Sequence, residues 1–212
     1  IDALATMASA VERNAPVTIA STHDIVSHAL LRTVRVFLRR HPHARIRIRS
    51  GLIGEVLDMV AGGLADLGLT PAPERYWDFD FVPIFTSERV LIAPLGHPLL
   101  ETPLTSLDQI ARWPLILRRR ETHTSKMLEE EFQRRGLSYE IVVELDSMDM
   151  VKRYVAVGMG VSVGPRLAIE PEDESTLGIV SLANLLPVPP CFHRQVYVLL
   201  WDIKYKHNCK IL

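Results

Sequence analysis

Cysteine is scarce in this 212-residue chain, with Cys191 and Cys209 its two, too few for a disulfide framework and compatible with a reducing compartment such as the cytoplasm. No excess charge of either sign exists, because 24 Lys and Arg stand against 25 Asp and Glu for a formal net charge of -1. That balance supplies no overall attraction to a phosphate backbone, and a self-sufficient DNA-binding protein of this size is ordinarily more basic. Apolar runs of the roughly 18 to 20 residues that a membrane helix needs are lacking as well. Also missing are a Gly-x-Ser-x-Gly elbow, a phosphate loop, a His-Glu-x-x-His pair and a dinucleotide glycine fingerprint, so no enzyme class is indicated. Cys191-x-His193 and His207-x-Cys209 form mirrored pairs of zinc-type ligands, but their spacing matches no common zinc module, and neither metal nor cofactor is expected. The chain begins at Ile1 rather than Met, which suggests a piece of a longer protein.

What the chain does contain is alternation. Hydrophobic residues make up 48% of it, enough for one large core or two small ones. Ile1 to Arg13 places Leu4, Met7, Ala8 and Val11 at helical spacing, and residues 1–15 read as the end of a linker helix stopped by Pro16. Pro16 to Ala20 is a short strand. Ile25, Ala29, Leu30, Val34, Phe37 and Leu38 then recur at helical steps with arginines largely on the other faces, which predicts an amphipathic helix ended by His41-Pro42. Ala44 to Arg49 alternates Ile with Arg as a strand with one polar face, and Gly51 opens a helix whose buried stripe is Val56, Leu57 and Val60. Ala65 to Leu69 is a third strand. The order β-α-β-α-β demands a parallel sheet with right-handed crossovers.

After a Pro- and aromatic-rich loop from Pro71 to Asp80, the runs Phe79 to Phe85 and Arg89 to Ala93 are strand-like, and Pro94-Leu-Gly-His-Pro98 cannot continue a helix. Alternation then resumes. A short helix to Ala111 is capped by Thr105 or Ser106, and a strand covers Pro114 to Leu117. A helix from Thr124 to Arg135 carries Met127, Leu128 and Phe132 on one stripe. Tyr139 to Leu145, Ser147 to Val157 and Gly160 to Gly164 read as strand, helix and strand. An acidic loop spans Glu170 to Thr176, Gly178 to Leu182 is a strand, Pro187 to Pro190 is a rigid connector, and Arg194 to Trp201 is a last strand that returns to the first half.

Five segments carry a resemblance to a known family. Val17-Thr-Ile-Ala-Ser-Thr-His23, Phe37-Leu-Arg-Arg-His-Pro42 and Gly62-Gly-Leu-Ala-Asp-Leu-Gly-Leu69 resemble the first lobe of LysR-type effector domains. Glu88-Arg-Val-Leu-Ile-Ala-Pro-Leu-Gly-His-Pro-Leu99 is similar to the family's passage between lobes with its His-Pro-Leu sequence. Val155-Ala-Val-Gly-Met-Gly-Val-Ser-Val-Gly-Pro165 resembles its helix-to-strand turn. The likeness implies the type II periplasmic-binding-protein fold: α/β, two Rossmann-like lobes joined by two crossover segments, near Ala93 and near His193. Residues 16–93 with 193–212 then form lobe I and residues 94–192 lobe II. Lys204 to Leu212 is shorter and more polar than the terminal helix usual in such domains.

Ligands of open α/β sheets settle beyond the carboxyl ends of the strands, where helix N-termini present amide donors. Those ends carry Ser21, Thr22, His23, Ser50, Gly51, Thr70, Arg118, Arg119, Thr122, Thr124, Ser125, Ser147 and Gly164, the candidate effector-binding set, with Thr22 and Thr124 as hydroxyl donors and Arg118 or Arg119 as charge partners. Hydroxyls, amides and arginines together suit a carboxylate or small oxyanion in an interlobe cleft. Ser21, Thr22 and Ser147 are equally good helix caps, Asp146 reads as another, and consecutive arginines are ordinarily a solvated turn. The likeness implies a cytoplasmic effector sensor that forms a homodimer or tetramer, its first helix meeting the Leu128 to Arg135 region of a mate. It reaches DNA only through a winged helix-turn-helix absent from this chain and makes no membrane contact. An extracytoplasmic solute receptor feeding a transporter shares the fold and is the alternative.

Overall fold

The structure is a computed structural model that describes residues 16–71, 79–186 and 195–201. In chain order its strands are β1 (Val17–Ser21), β2 (Ile46–Ser50), β3 (Leu67–Pro71), β4 (Phe79–Thr86), β5 (Arg89–Pro94), β6 (Leu115–Arg118), β7 (Ile141–Leu145), β8 (Ser162–Pro165), β9 (Leu177–Ser181) and β10 (Gln195–Trp201). The α-helices are α1 (Leu31–Arg40), α2 (Ile53–Ala61), α3 (Leu107–Ala111), α4 (His123–Arg134) and α5 (Met148–Ala156). Among the described residues no helix is long and apolar enough to cross a membrane.

The described elements divide into two compact units, one holding β1 to β4 and β10, the other β5 to β9. In the first unit the strand order is β2-β1-β3-β10-β4, with β1 parallel to β2 and β3, and β10 antiparallel to β3 and β4. Every residue of β1 is buried, as a strand covered on both faces requires. Val17 and Ile19 pack with Ile25, Leu30, Leu67 and Leu69 on one face, and Ala20 with Val56, Leu57, Val60 and Ala65 on the other. The stripe expected on α2 is thus the buried one. Ahead of α1 the helix is wound more widely, in the π form, over Ile25–Leu30, and its two buried residues Ile25 and Leu30 lie there. Along α1 itself nothing is buried; Leu31, Val36 and Leu38 are exposed. The apolar stripe read from the sequence is therefore covered by the sheet in its first half and runs beyond it in the second.

The second unit repeats the topology. β8-β5-β9 and β6-β7 are joined by a parallel bridge between Leu115 and Val161, and the hydrogen bonds Val161 N–H to Pro114 O and Ile116 N–H to Val161 O, both 2.9 Å, close the joint. The resulting order, β7-β6-β8-β5-β9, matches that of the first unit, and β5 is antiparallel to β8 and β9, as β10 is to its neighbours. In each unit the antiparallel strand is the one the chain enters from the other unit. One face of this sheet packs on α3 and α4 through Leu107, Ile110, Leu128 and Phe132. The opposite face packs on α5 through Met148, Val151 and Val155.

Three expectations change. The strand Arg89 to Ala93 was assigned to lobe I with the crossing near Ala93; instead β5 pairs along its length with β8 and β9, and the division falls between Thr86 and Ser87. The reason lies in the pairing: Val90, Leu91, Ile92 and Ala93 are all buried, as suits a strand bonded on both sides, and both of its neighbours belong to the second unit. The expected acidic loop is in part a 3-10 turn, Pro171–Ser175. The His-Pro-Leu segment is a structural device, since the Leu99 N–H donates to Nδ1 of His97 at 3.2 Å and the His97 ring meets Trp113 edge-on at 4.3 Å. Burial holds the His97 pKa below its usual value, which keeps the ring neutral and its Nδ1 free to accept. Residues 1–15, the crossing near His193 and the tail from Lys204 lie outside the described residues.

Candidate functional site

In the first unit the register brings the carboxyl ends of three strands together, Ser21 facing Ser50 on one side and Leu69 on the other. The Ser21 hydroxyl, fully buried, donates to the Leu69 carbonyl at 2.9 Å. Gly51 N–H donates to the Ser21 carbonyl at 3.1 Å, and Thr22 N–H to the Leu69 carbonyl at 3.4 Å. Ser21 is thus a sheet fastener, neither a helix cap nor an available donor. Thr22 and Gly51 are half-buried beside it, and Ser50 and His23 are exposed. At α2 a carboxylate is already in place, because Glu55 Oε2 accepts the Leu52 N–H at 2.7 Å; it answers the positive end of that helix. Thr70 closes the group. Its side chain is fully buried, and among the described residues its hydroxyl has no hydrogen-bond partner. A buried hydroxyl left unmatched costs about 1–3 kcal/mol.

The second unit gathers its own cluster. Thr122 Oγ1 donates to Ser125 Oγ at 3.0 Å, which donates in turn to the Arg118 carbonyl at 2.8 Å. Both side chains are buried, so these hydroxyls fix the 118–125 loop. Arg118 Nε donates to the Asp146 carbonyl at 3.3 Å, and Arg119 Nε pairs with Asp146 Oδ1 at 3.3 Å. Asp146 is accordingly a partner for arginine and not the expected helix cap; that role belongs to Ser147, whose Oγ accepts the Met150 N–H at 3.3 Å. Thr124 is half-buried in the first turn of α4. Gly164 stands apart from the rest: a Cβ there would lie 2.5 Å from Met148 Cε and 3.2 Å from Ile92 Cδ1. Close packing of α5 on the sheet accounts for this glycine, with no need of a ligand.

Two residues at this end escaped the sequence reading. Arg89 opens β5 and pairs in register with Pro165 at the close of β8. In an antiparallel strand the first residue, not the last, reaches the tips of its parallel neighbours, so assigning β5 to the wrong lobe hid Arg89. Its signal was an arginine heading an otherwise apolar run. His123, half-buried, is the first residue of α4. Burial lowers its pKa to about 4, and the positive charges of Arg89 and Lys126 add to the effect, so the ring is neutral at neutral pH. Arg89, Arg118, Arg119 and Lys126 give this tip region a cationic character, with the Asp146 carboxylate paired to Arg119. Among the described residues no group of three or more His, Cys, Asp or Glu is placed to hold a metal ion, and the Cys191–His193 and His207–Cys209 pairs lie outside them.

Comparison with known proteins bears on what these tips serve. Residues 11–200 match the family described as LysR substrate binding domain. The chain is 32% identical over 169 residues to the HTH-type transcriptional regulator CysB of Burkholderia cenocepacia, covering 79% of this chain and 54% of that protein. Among solved structures, the cofactor-binding domain of the Cbl transcriptional regulator aligns with a TM-score of 0.72 at 26% identity, over 87% of this chain and 79% of the other. The CcmR regulatory domain of Synechocystis PCC6803, in complex with 2-PG, aligns with a TM-score of 0.75 at 18% identity, over 92% and 94%; at that identity the likeness is one of fold. The chain spans about half the length of the curated relatives it matches. Since the family match covers nearly all of the chain and a third of the residues are shared with CysB over most of it, the chain belongs to the LysR family as its effector-binding, or substrate binding, domain.

Proposed function

We propose that this domain senses a small anionic metabolite at its strand tips and passes the signal to a DNA-reading winged helix-turn-helix in the same, longer polypeptide, acting in the cytoplasm without turnover of the ligand. The observation that carries the reading is Thr70, a fully buried hydroxyl without a partner among the described residues, at the tip where Thr22 and Gly51 also gather. A ligand oxygen that accepts from it removes a standing desolvation cost. Within the second unit the strand tips are cationic, Arg89 and Arg118 foremost, and favour an anion. CysB is an HTH-type regulator of which this chain covers about half, and CcmR was solved with a small ligand bound. A regulator is thereby favoured over a transporter's solute receptor. A ligand acts on such a switch only through unequal affinity for its two states.

A thermal-shift screen of small carboxylates and oxyanions tests the site. A hit at about 100 times its Kd adds about 2.7 kcal/mol of stability, and Thr70→Val, Thr124→Ala and Arg118→Gln are each expected to weaken it by about tenfold or more, near 1.4 kcal/mol. Affinity unchanged in all three variants overturns the site, and chemical conversion of the hit overturns the sensor reading in favour of an enzyme.

The domain is further proposed to pair with a second copy, α1 and β2 of one protomer against α4 and β7 of its mate. β2 and β7 are both sheet edges, which proteins cover when they can. On one side Leu31, Val36, Leu38 and Ile48 are exposed among Arg32, Arg35, Arg45 and Arg47; on the other Val142 is exposed beside Glu130, Glu140 and Glu144. Apolar patches framed by opposite charges meet twice in a two-fold pair. Size-exclusion chromatography with light scattering should find a dimer that Ile48→Glu or Val142→Glu converts to monomer. A dimer indifferent to both changes rejects this face.

A further inference from the structure

The second unit carries a groove that the effector reading leaves unused. The half-buried Ile179, over the buried Val90 and Leu177, forms its apolar floor, and Glu88, Arg166, Glu174 and Ser181 its polar rim. It follows β9, the edge strand, which the order β7-β6-β8-β5-β9 places three strands from β6 and four from β7, where the Arg118 and Asp146 cluster sits. Arg166 N–H donates to the Glu88 carbonyl at 2.8 Å, so a guanidinium and a carboxylate stand on one wall. Glu88 Oε2 accepts from Ser181 Oγ at 2.6 Å, and Arg166 Nη2 donates to Glu174 Oε1 at 3.1 Å. Glu88, Glu174 and Arg166 keep capacity beyond these bonds, since a carboxylate accepts at two oxygens and a guanidinium offers five N–H donors.

The chemistry of the rim selects the ligand. Two carboxylates outnumber one guanidinium, so a plain anion is repelled; an apolar ligand leaves the surplus carboxylate unanswered; a plain amine that takes Glu174 draws it from Arg166 and leaves that guanidinium without its counter-charge. We propose that this groove binds a small aliphatic α-amino acid, its ammonium at Glu88 and Glu174, its carboxylate at Arg166, and its side chain on Val90, Leu177 and Ile179. Glu88 is the second residue past the Thr86–Ser87 division, so the site stands at the start of the crossing. Val90 and Arg89 are successive residues of β5 and face opposite sides of the sheet, so the groove lies across the strand from the Arg89 side chain of the strand-tip site, and either site can fail without the other.

Isothermal titration of the full chain with leucine, with its deaminated acid isocaproate and with its decarboxylated amine isoamylamine tests the assignment. Saturable binding of leucine is expected, with both analogues weaker by about tenfold or more. Glu88→Gln and Arg166→Gln should each abolish it, while Thr70→Val leaves it unchanged. Absence of saturable leucine binding overturns the proposal, as does isocaproate binding as well as leucine, leucine binding that survives in a folded Glu88→Gln or Arg166→Gln variant, or loss of binding in Thr70→Val, which moves the ligand to the strand tips.

Discussion

Gly160→Ala is expected to cost about 3 kcal/mol of stability, well above the usual effect of adding one methyl group. Gly160 directly precedes the bridge between Leu115 and Val161 that joins β6 to β8. A Cβ on it would press against the Pro114 carbonyl oxygen inside contact distance, lie 3.1 Å from the carbonyl carbon and 3.3 Å from Ile116 Cγ1. The obstacle is backbone, which cannot swing aside as a side-chain end does. That same carbonyl accepts the Val161 N–H at 2.9 Å, so making room for the methyl opens the joint that makes one sheet out of β6-β7 and β8-β5-β9. Gly54→Ala supplies the contrast. It sits in α2 with nothing within 4 Å of an added Cβ, and there alanine should stabilise by up to about 1 kcal/mol through helix propensity. Urea titrations of the two variants against the parent measure both, and a Gly160→Ala variant within about 0.5 kcal/mol of the parent would sink the argument.

The same turn shows what family likeness in a sequence reports. In Val155 to Pro165 the buried residues Val155 and Val161 anchor the helix and the strand. Gly158 takes the left-handed backbone, φ 82°, that ends α5. Gly160 and Gly164 admit a neighbouring backbone and Met148. The motif is one of folding and says nothing about the ligand, so the sequence disclosed the fold far better than the site. Period and punctuation sufficed for β1, α2, α4 and the return of β10 to β3. They failed for β5, because an apolar strand looks the same in either unit and only its pairing tells which sheet it enters. That one misplacement also hid Arg89.

At the tips the residue types were legible but their commitments were not. Ser21, Thr122 and Ser125 have the right chemistry for a ligand, yet each hydroxyl spends its donor on a carbonyl or on another hydroxyl. Thr70, alike in sequence, does not. Nothing local to a threonine predicts which of these it will be, because the acceptor arrives from a strand or loop elsewhere in the chain: Ser21 finds Leu69 across a separation of 48 residues. The exposed half of α1 was equally hidden, since amphipathic spacing announces a face without saying whether the cover comes from this chain or from another.

Lys152→Met is expected to lower stability by about 2–3 kcal/mol, although methionine fills the same space with a more apolar side chain. Lys152 lies on α5 and is 8% exposed, its Nζ 2.8 Å from Asp173 Oδ2 and 3.2 Å from Asp149 Oδ1. It donates also to the Ala168 carbonyl at 3.0 Å. Asp173 in turn accepts the Glu170 N–H at 2.8 Å, so the ammonium fastens the 166–176 turns onto α5 over Val151, Val155 and Leu177. Removing it strands the mostly buried Asp173 carboxylate without its cation, which costs more than the lost packing. Lys152→Met combined with Asp173→Asn should therefore be more stable than Lys152→Met alone, the amide oxygen still accepting from Glu170. The pH dependence separates charge from shape. Burial alone would pull the Lys152 pKa down, but the Asp173 and Asp149 carboxylates outweigh it and hold it above the usual lysine value of 10.5. A raised folded-state pKa contributes stability that is whole below the unfolded value and disappears as pH climbs through the folded one. The gap between parent and Lys152→Met should thus be constant from neutral pH to about pH 9 and shrink by about pH 11 and above. Urea titrations at those two alkaline values decide it, and a gap that stays the same, or no gap at all, shows that the ammonium is not what holds the turn.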